Sequence, residues 1–170
     1  MKKNILYTLF GCGLIASLFG CLPKDDNTYE RDSVVEFKNH TRGVAAANLT
    51  ARGITSSSTD STRTVLLNTR GTDTIYVQLV GPQTSSPLDV NFSVRGTSTA
   101  VEGTNYNFRP AGNRKVTIPA NSSVGYLLVD MIPNSIATVG DTRILRVDLL
   151  GSSAIQPSAN YKKFILTLRR

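Results

Sequence analysis

From Asp73 to Arg170 the chain repeats one pattern: a short run of alternating apolar and polar residues, then a cluster of Gly, Pro, Asn and Asp. This pattern limits the possible folds more than any other feature. In DTIYVQLV (73–80), Ile75, Val77 and Leu79 alternate with Tyr76, Gln78 and Val80. In PLDVNFSVRG (87–96), Leu88, Val90, Phe92 and Val94 alternate with Asp89, Asn91, Ser93 and Arg95. RKVTIPA (114–120) supplies Val116 and Ile118, TRILRVDLLG (142–151) supplies Leu145, Val147 and Leu149, and YKKFILTLRR (161–170) supplies Phe164, Leu166 and Leu168. Successive side chains of a strand point to opposite faces, so each run predicts a strand with one buried face. VGYLLVDMI (124–132) is more continuously apolar, as suits a central strand, and SVVEFKN (33–39) opens the first strand with Val35 and Phe37 on one face.

The segments between these runs, GPQTSSP, RGTSTAVEG, RPAGN, IPAN, IPNS and VGD, carry turn chemistry. No run has the period of an amphipathic helix, and VAAANL offers at most one helical turn. Residues 40–62, rich in Ser, Thr, Gly and Ala, read as a long flexible loop or a frayed edge. No internal repeat is visible. The expected fold is all-β: a single immunoglobulin-like antiparallel β-sandwich of seven or eight strands over residues 34–170.

The N-terminus has a different logic. Lys2 and Lys3 precede an uncharged run, Ile5–Gly20. This is shorter than the ~20 apolar residues that span a bilayer and fits the hydrophobic region of a secretory leader. LFGC (18–21) then resembles the bacterial lipobox, with Leu18 at its apolar start, Gly20 at the small position and Cys21 as the lipid-bearing residue; Phe19 is bulkier than usual there. The resemblance implies a leader over 1–20, acylation of Cys21 and a lipidated tether over 21–33. More than one acyl chain on Cys21 gives stable membrane anchoring. The alternatives are a plain leader with an incidental cysteine, or an uncleaved anchor. CLPKDD (21–26) further resembles the export signal that sends Bacteroidetes-type lipoproteins to the outer face of the outer membrane, with Lys24, Asp25 and Asp26 carrying the match.

Cleavage before Cys21 leaves 150 residues, enough for one domain with a real core, and takes the formal charge from +7 to +5. The basic residues are scattered and form no dense run, which argues against a nucleic-acid partner. Cys12 leaves with the leader and Cys21 takes the lipid, so neither a disulfide nor a cysteine nucleophile remains. The absence of Trp argues mildly against a tryptophan-based sugar platform, although Tyr stacks in the same way.

The stretch Thr97–Gly151, with TSTAVEGTNYNF, VTIPANSSVGYLLVDMIP and VGDTRILRVDLLG, resembles the Calx-β module through Ala100, Gly103, Tyr106, Ile118, Pro119, Ala120 and Leu149. The layout also resembles uncharacterised single-domain surface lipoproteins of Bacteroidetes, often encoded near glycan-uptake systems. Calcium-binding members gather carboxylates at one end of the sandwich. Here the Asp before the motif tyrosine is Asn105, and the later acidic pair is replaced by Pro133 and Asn134. Glu102 and Asp141 alone make a poor cage for an ion that takes six to eight oxygens. Neither a metal nor a cofactor is expected.

Catalytic constellations are equally thin. His40, the sole histidine, has no nucleophile or orienting partner at a suggestive spacing. Asp130 and Asp148 read as strand-surface charges rather than a glycosidase pair. A possible binding face is the outward row of Arg95, Arg146, Lys163 and Arg169 on adjacent strands, set against a plain solvated sheet with cross-strand charge pairs. Of the tyrosines, Tyr126 suits sugar stacking, whereas Tyr106 lies in the fold's own turn motif. DSV, DST and DTI resemble a short bacterial O-glycosylation acceptor, with Ser33, Ser61 and Thr74 as candidate sites.

The expected function is non-catalytic: a lipid-anchored outer-membrane protein, facing the cell exterior, that binds glycan or serves a neighbouring uptake complex. Such a binding module predicts an exposed apolar or aromatic patch. A structural or adhesive surface protein is the alternative, and it predicts an open edge strand.

Overall fold

A computed structural model describes residues 31–38, 60–112 and 114–170. The expected leader, Cys12, Cys21, Lys24, Asp25, Asp26, His40 and residues 41–59 lie outside the described residues. The strands are β1 (Val34–Phe37), β2 (Asp60–Leu66), β3 (Thr72–Val80), β4 (Leu88–Val94), β5 (Tyr106–Arg109), β6 (Lys115–Ile118), β7 (Val124–Met131), β8 (Thr142–Gly151), β9 (Gln156–Pro157) and β10 (Lys163–Arg169). One helical turn, α1 (Leu67–Arg70), joins β2 to β3.

The strands form two five-stranded sheets, ordered β5-β7-β3-β1-β9 and β2-β10-β8-β4-β6. Alternation is the reason these residues form strands. Along β3 every second residue is buried, and β7, β8 and β10 repeat the pattern. The inward residues of both sheets make one core that includes Val35, Phe37, Ile75, Val77, Leu127, Val129, Leu145, Val147, Phe164 and Leu166. Aromatic rings lock it: Phe37 meets Phe164 across the sheets with centroids 5.5 Å apart, and Phe108 meets Phe92 at 5.0 Å and Tyr106 at 5.2 Å. The positive-φ residues Asn121 and Asn134 sit in the predicted IPAN and IPNS turns, where asparagine tolerates the left-handed conformation.

The β-sandwich expected from the sequence is present, with two corrections. Three further strands, the seven-residue β2 and the short β5 and β9, join the seven that the alternation picks out. The edge pairs β1–β9 and β2–β10 are parallel, whereas every pairing was expected to be antiparallel. The parallel pairs follow from the N-terminal chain serving both sheets: β1 pairs with β3 and β9 in one sheet and β2 lies along β10 in the other. Strand β2 also begins at Asp60, so residues 60–62, expected as the end of a loop, are strand. Their backbone groups gain partners on β10, which local composition does not reveal.

Register defines two ends of the sandwich. Val34 pairs with Val80, so the chain enters at the end carrying Ser33 and Gly81. Thr72 pairs with Asp130 and Tyr106 with Met131, so α1 and the β4–β5 and β7–β8 loops share the opposite end.

Candidate functional site

The outer face of the first sheet carries the most exposed aromatic surface. Tyr76 on β3 and Tyr126 on β7 are register partners, both on the outward side of the alternation. Their rings meet edge to face with centroids 5.4 Å apart, an arrangement favoured by the ring quadrupoles. Tyr126 is 54% exposed, the only aromatic residue among the exposed large hydrophobic side chains of the described residues. Gly125 beside it points into the core, and a Cβ there would lie 2.8 Å from Val116 Cγ1 and 2.9 Å from the Thr117 carbonyl oxygen. Only glycine lets β7 lie this close to β6 at that point.

Polar groups flank the tyrosines along the strands. On one side Asp130 accepts hydrogen bonds from Thr72 Oγ1 at 2.7 Å, Arg109 Nε at 2.9 Å and Arg109 Nη2 at 2.5 Å. Burial pushes the Asp130 carboxyl up, but these hydrogen bonds and the Arg109 charge outweigh it and hold it below the usual carboxylate value. On the other side lies Gln78, register partner of both Glu36 and Val124, with Lys38 bonded to Glu36 at 3.0 Å. A stacking surface between two rows of hydrogen-bonding groups can take a flat, hydroxylated ligand: ring faces meet C–H groups and the flanking groups meet hydroxyls.

An open cleft of about 290 Å³ lies at the chain-entry end, where β8, β9 and the start of β10 converge. Asp148, Leu150, Gln156, Pro157, Lys162 and Lys163 contribute to its walls. Its shape depends on Gly151, whose positive φ of 73° turns β8 towards β9; a Cβ there would lie 2.3 Å from the Ile155 carbonyl oxygen.

The residues singled out from sequence fall as follows. Arg95, Arg146 and Lys163 do lie on the adjacent strands β4, β8 and β10. Arg95 Nε donates to Asp148 Oδ1 at 2.7 Å, and Arg146 Nη1 donates to the Thr97 carbonyl at 2.6 Å. Lys163 faces Asp148 in register, while Arg169 pairs with Thr142 at the other end of β10. Six residues of strand, about 20 Å, separate Lys163 from Arg169, so the four cations do not form one cluster. Thr74 is half-buried on the outward side of β3; Ser33 is half-buried against Gly81; Ser61 is the second residue of β2.

Tyr106 is a core residue, 1% exposed. Burial, aided by the Glu102 charge and opposed by Arg114, pushes its phenol up to about 12. Asn105 is buried and stitches two loops together: its Oδ1 accepts the Val101 N–H at 2.9 Å and its Nδ2 donates to Ser135 Oγ at 3.3 Å. An aspartate would lack that donor. Glu102 is engaged by Arg114, and Asp141 is exposed. No cluster of three or more metal-ligating side chains occurs among the described residues.

Two features escaped the sequence reading. Tyr76 was visible only as a polar-side position of β3; its pairing with Tyr126 depends on register. Asp73, on the inward side of β3, is fully buried and accepts hydrogen bonds from Arg70 at 2.9 and 2.6 Å, with Arg63 Nη1 3.3 Å away.

No family model matches the chain, and no curated protein matches it. Among solved structures it is similar to a two-domain protein of unknown function from Bacteroides fragilis, at TM-score 0.51 and 6% identity, over 81% of this chain and 45% of that one. It is also similar to the apo form of the Calx CBD1 domain, at TM-score 0.48 and 12% identity, over 80% of this chain and 96% of that one. A candidate carbohydrate-binding protein from Bacteroides ovatus matches at TM-score 0.47 and 12% identity, over 65% of this chain and 35% of that one. The chain thus spans about a third of that last structure's length. At such identities the likeness concerns the fold alone.

Proposed function

We propose that this chain is a non-catalytic, lipid-anchored surface module that binds glycan on its first sheet. The observation that carries the reading is the edge-to-face pair of Tyr76 and the half-exposed Tyr126, set between two rows of hydrogen-bonding side chains. A sugar ring stacks on Tyr126, and neighbouring sugars of the same chain reach Gln78 on one side and the Asp130–Arg109 pair, four residues along β7, on the other. The lipobox-like Cys21 tethers the domain to the outer membrane, and Lys24, Asp25 and Asp26 direct it to the outer face. Serving a neighbouring uptake complex is the natural role for a captured glycan. A glycan array probed with the wild type and with Tyr126→Ala tests the reading: signals on neutral oligosaccharides are expected for the wild type and are expected to fall in the variant. Identical signals from both proteins would refute it.

A further inference from the structure

The cleft at the chain-entry end has a charge pattern that the tyrosine face does not explain. Several cations around the sandwich are matched: Lys38, Arg63, Arg70, Arg95, Arg109, Arg114 and Lys115 each have a carboxylate oxygen within 3.3 Å. Lys162 and Lys163, both half-buried, line the cleft with no carboxylate within ion-pair distance among the described residues. Lys163 is the register partner of Asp148 on β8 and of Asp60 on β2, and Asp148 is turned to Arg95 at 2.7 Å. The two lysines therefore remain available to an anion entering from solvent.

The remaining walls narrow the ligand. Asp148 and the Gln156 carbonyl are acceptors, which a simple inorganic anion has no use for and which hydroxyl groups satisfy. Leu150, 55% exposed, and Pro157 add apolar surface for the C–H face of a ring. The volume, about 290 Å³, lies at the small end of ligand pockets and suits one ring rather than an extended chain. Paired cations, hydroxyl acceptors and an apolar wall together describe a hydroxylated ring acid.

We propose that this cleft is a second binding site that takes a carboxylated sugar, a uronic acid residue of an acidic glycan. Lys162 and Lys163 hold the carboxylate, Asp148 and Gln156 accept from hydroxyls, and Leu150 and Pro157 flank the ring. The site is separate from the tyrosine face, so either can fail alone.

The test titrates glucuronate and galacturonate disaccharides into the purified protein, with the corresponding neutral disaccharides, acetate and sulfate as controls, and follows backbone amide shifts. The expected result is saturable shifts at Gln156, Lys162 and Lys163 with the uronates, none with the neutral sugars, and no competition from equimolar acetate or sulfate. Lys162→Gln/Lys163→Gln should weaken uronate binding at the cleft at least tenfold. Should the double variant fail to fold, the uronate-versus-neutral comparison in the wild type decides. Absence of shifts at the cleft, equal response to neutral sugars, or displacement by acetate or sulfate would overturn the proposal.

Discussion

Replacing Asp73 with alanine tests how the sandwich is held at its α1 end. Asp73 lies on the core face of β3, 0% exposed, with two hydrogen bonds from Arg70 and Arg63 Nη1 at 3.3 Å. It links α1 and β2 to β3 and so ties one sheet to the other. Removing one member of a buried ion pair costs about 3–5 kcal/mol, because the opposite charge stays behind in a poorly solvated site. The Arg63 side chain is only 22% exposed, but Arg70 is 43% exposed and regains water, which places the loss near the low end, about 3 kcal/mol. With an unfolding entropy of about 2.1 cal/mol/K per residue over the unit Arg31–Arg170, this lowers the melting temperature by about 10 °C. Calorimetry or thermal circular dichroism reads the shift directly. The paired replacement Arg63→Met/Asp73→Leu, which removes charge from both sheets, should recover most of it. A drop of less than about 3 °C for Asp73→Ala would refute the argument that this carboxylate clamps the two sheets.

Three further outcomes are expected. Gly125→Ala places a Cβ within 2.8 Å of Val116 and 2.9 Å of the Thr117 backbone oxygen, and should destabilise by about 1–3 kcal/mol in denaturant titration; an unchanged midpoint would contradict the close packing of β7 on β6. Asp130 and Asp89 are both held below the ordinary carboxylate value, the latter chiefly by hydrogen bonds from Lys115 and Thr117. Their stabilisation is therefore complete above about pH 4 and is lost as pH falls through their lowered folded values. Tyr106, raised to about 12, gives the mirror case: its contribution is present below about pH 10 and is lost as pH climbs towards 12. Melting temperatures across pH should thus fall at both extremes, with Asp130→Asn flattening the acid limb and Tyr106→Phe the alkaline limb. Finally, Cys21→Ala should release the protein from membranes, and protease added to intact cells should cleave the wild type; protection of the wild type would place it on the periplasmic side.

The core of the fold was legible because burial imposes period two. Ile75, Val77 and Leu79, or Phe164, Leu166 and Leu168, declare their face without help from any other segment. Strand β2 was not legible because its inward side carries Arg63, whose partner Asp73 is ten residues away and itself breaks the apolar pattern of β3. Strands β5 and β9 are too short for a period to show: β5 is four residues that begin at the turn-motif tyrosine, Tyr106, and β9 is two residues, one of them proline. The candidate site was legible only by half. Alternation places Tyr126 outward, but its meeting with Tyr76 follows from the β3–β7 register, a non-local fact. The cleft is harder still, since it needs the turn at Gly151 to bring Gln156 and Pro157 against the start of β10. Local patterns reveal which face is buried; what stands beside what on the outer face is decided by pairing.

The central claim is that the tyrosine face binds sugar. Isothermal titration of the purified protein with neutral oligosaccharides found on the array, using the wild type, Tyr126→Ala and Tyr126→Phe, tests it most directly. The account predicts measurable binding by the wild type, at least tenfold weaker binding by Tyr126→Ala, equivalent to about 1.4 kcal/mol, and near-wild-type affinity for Tyr126→Phe, which keeps the ring. Equal affinity in all three proteins, or loss in Tyr126→Phe as complete as in Tyr126→Ala, would contradict it.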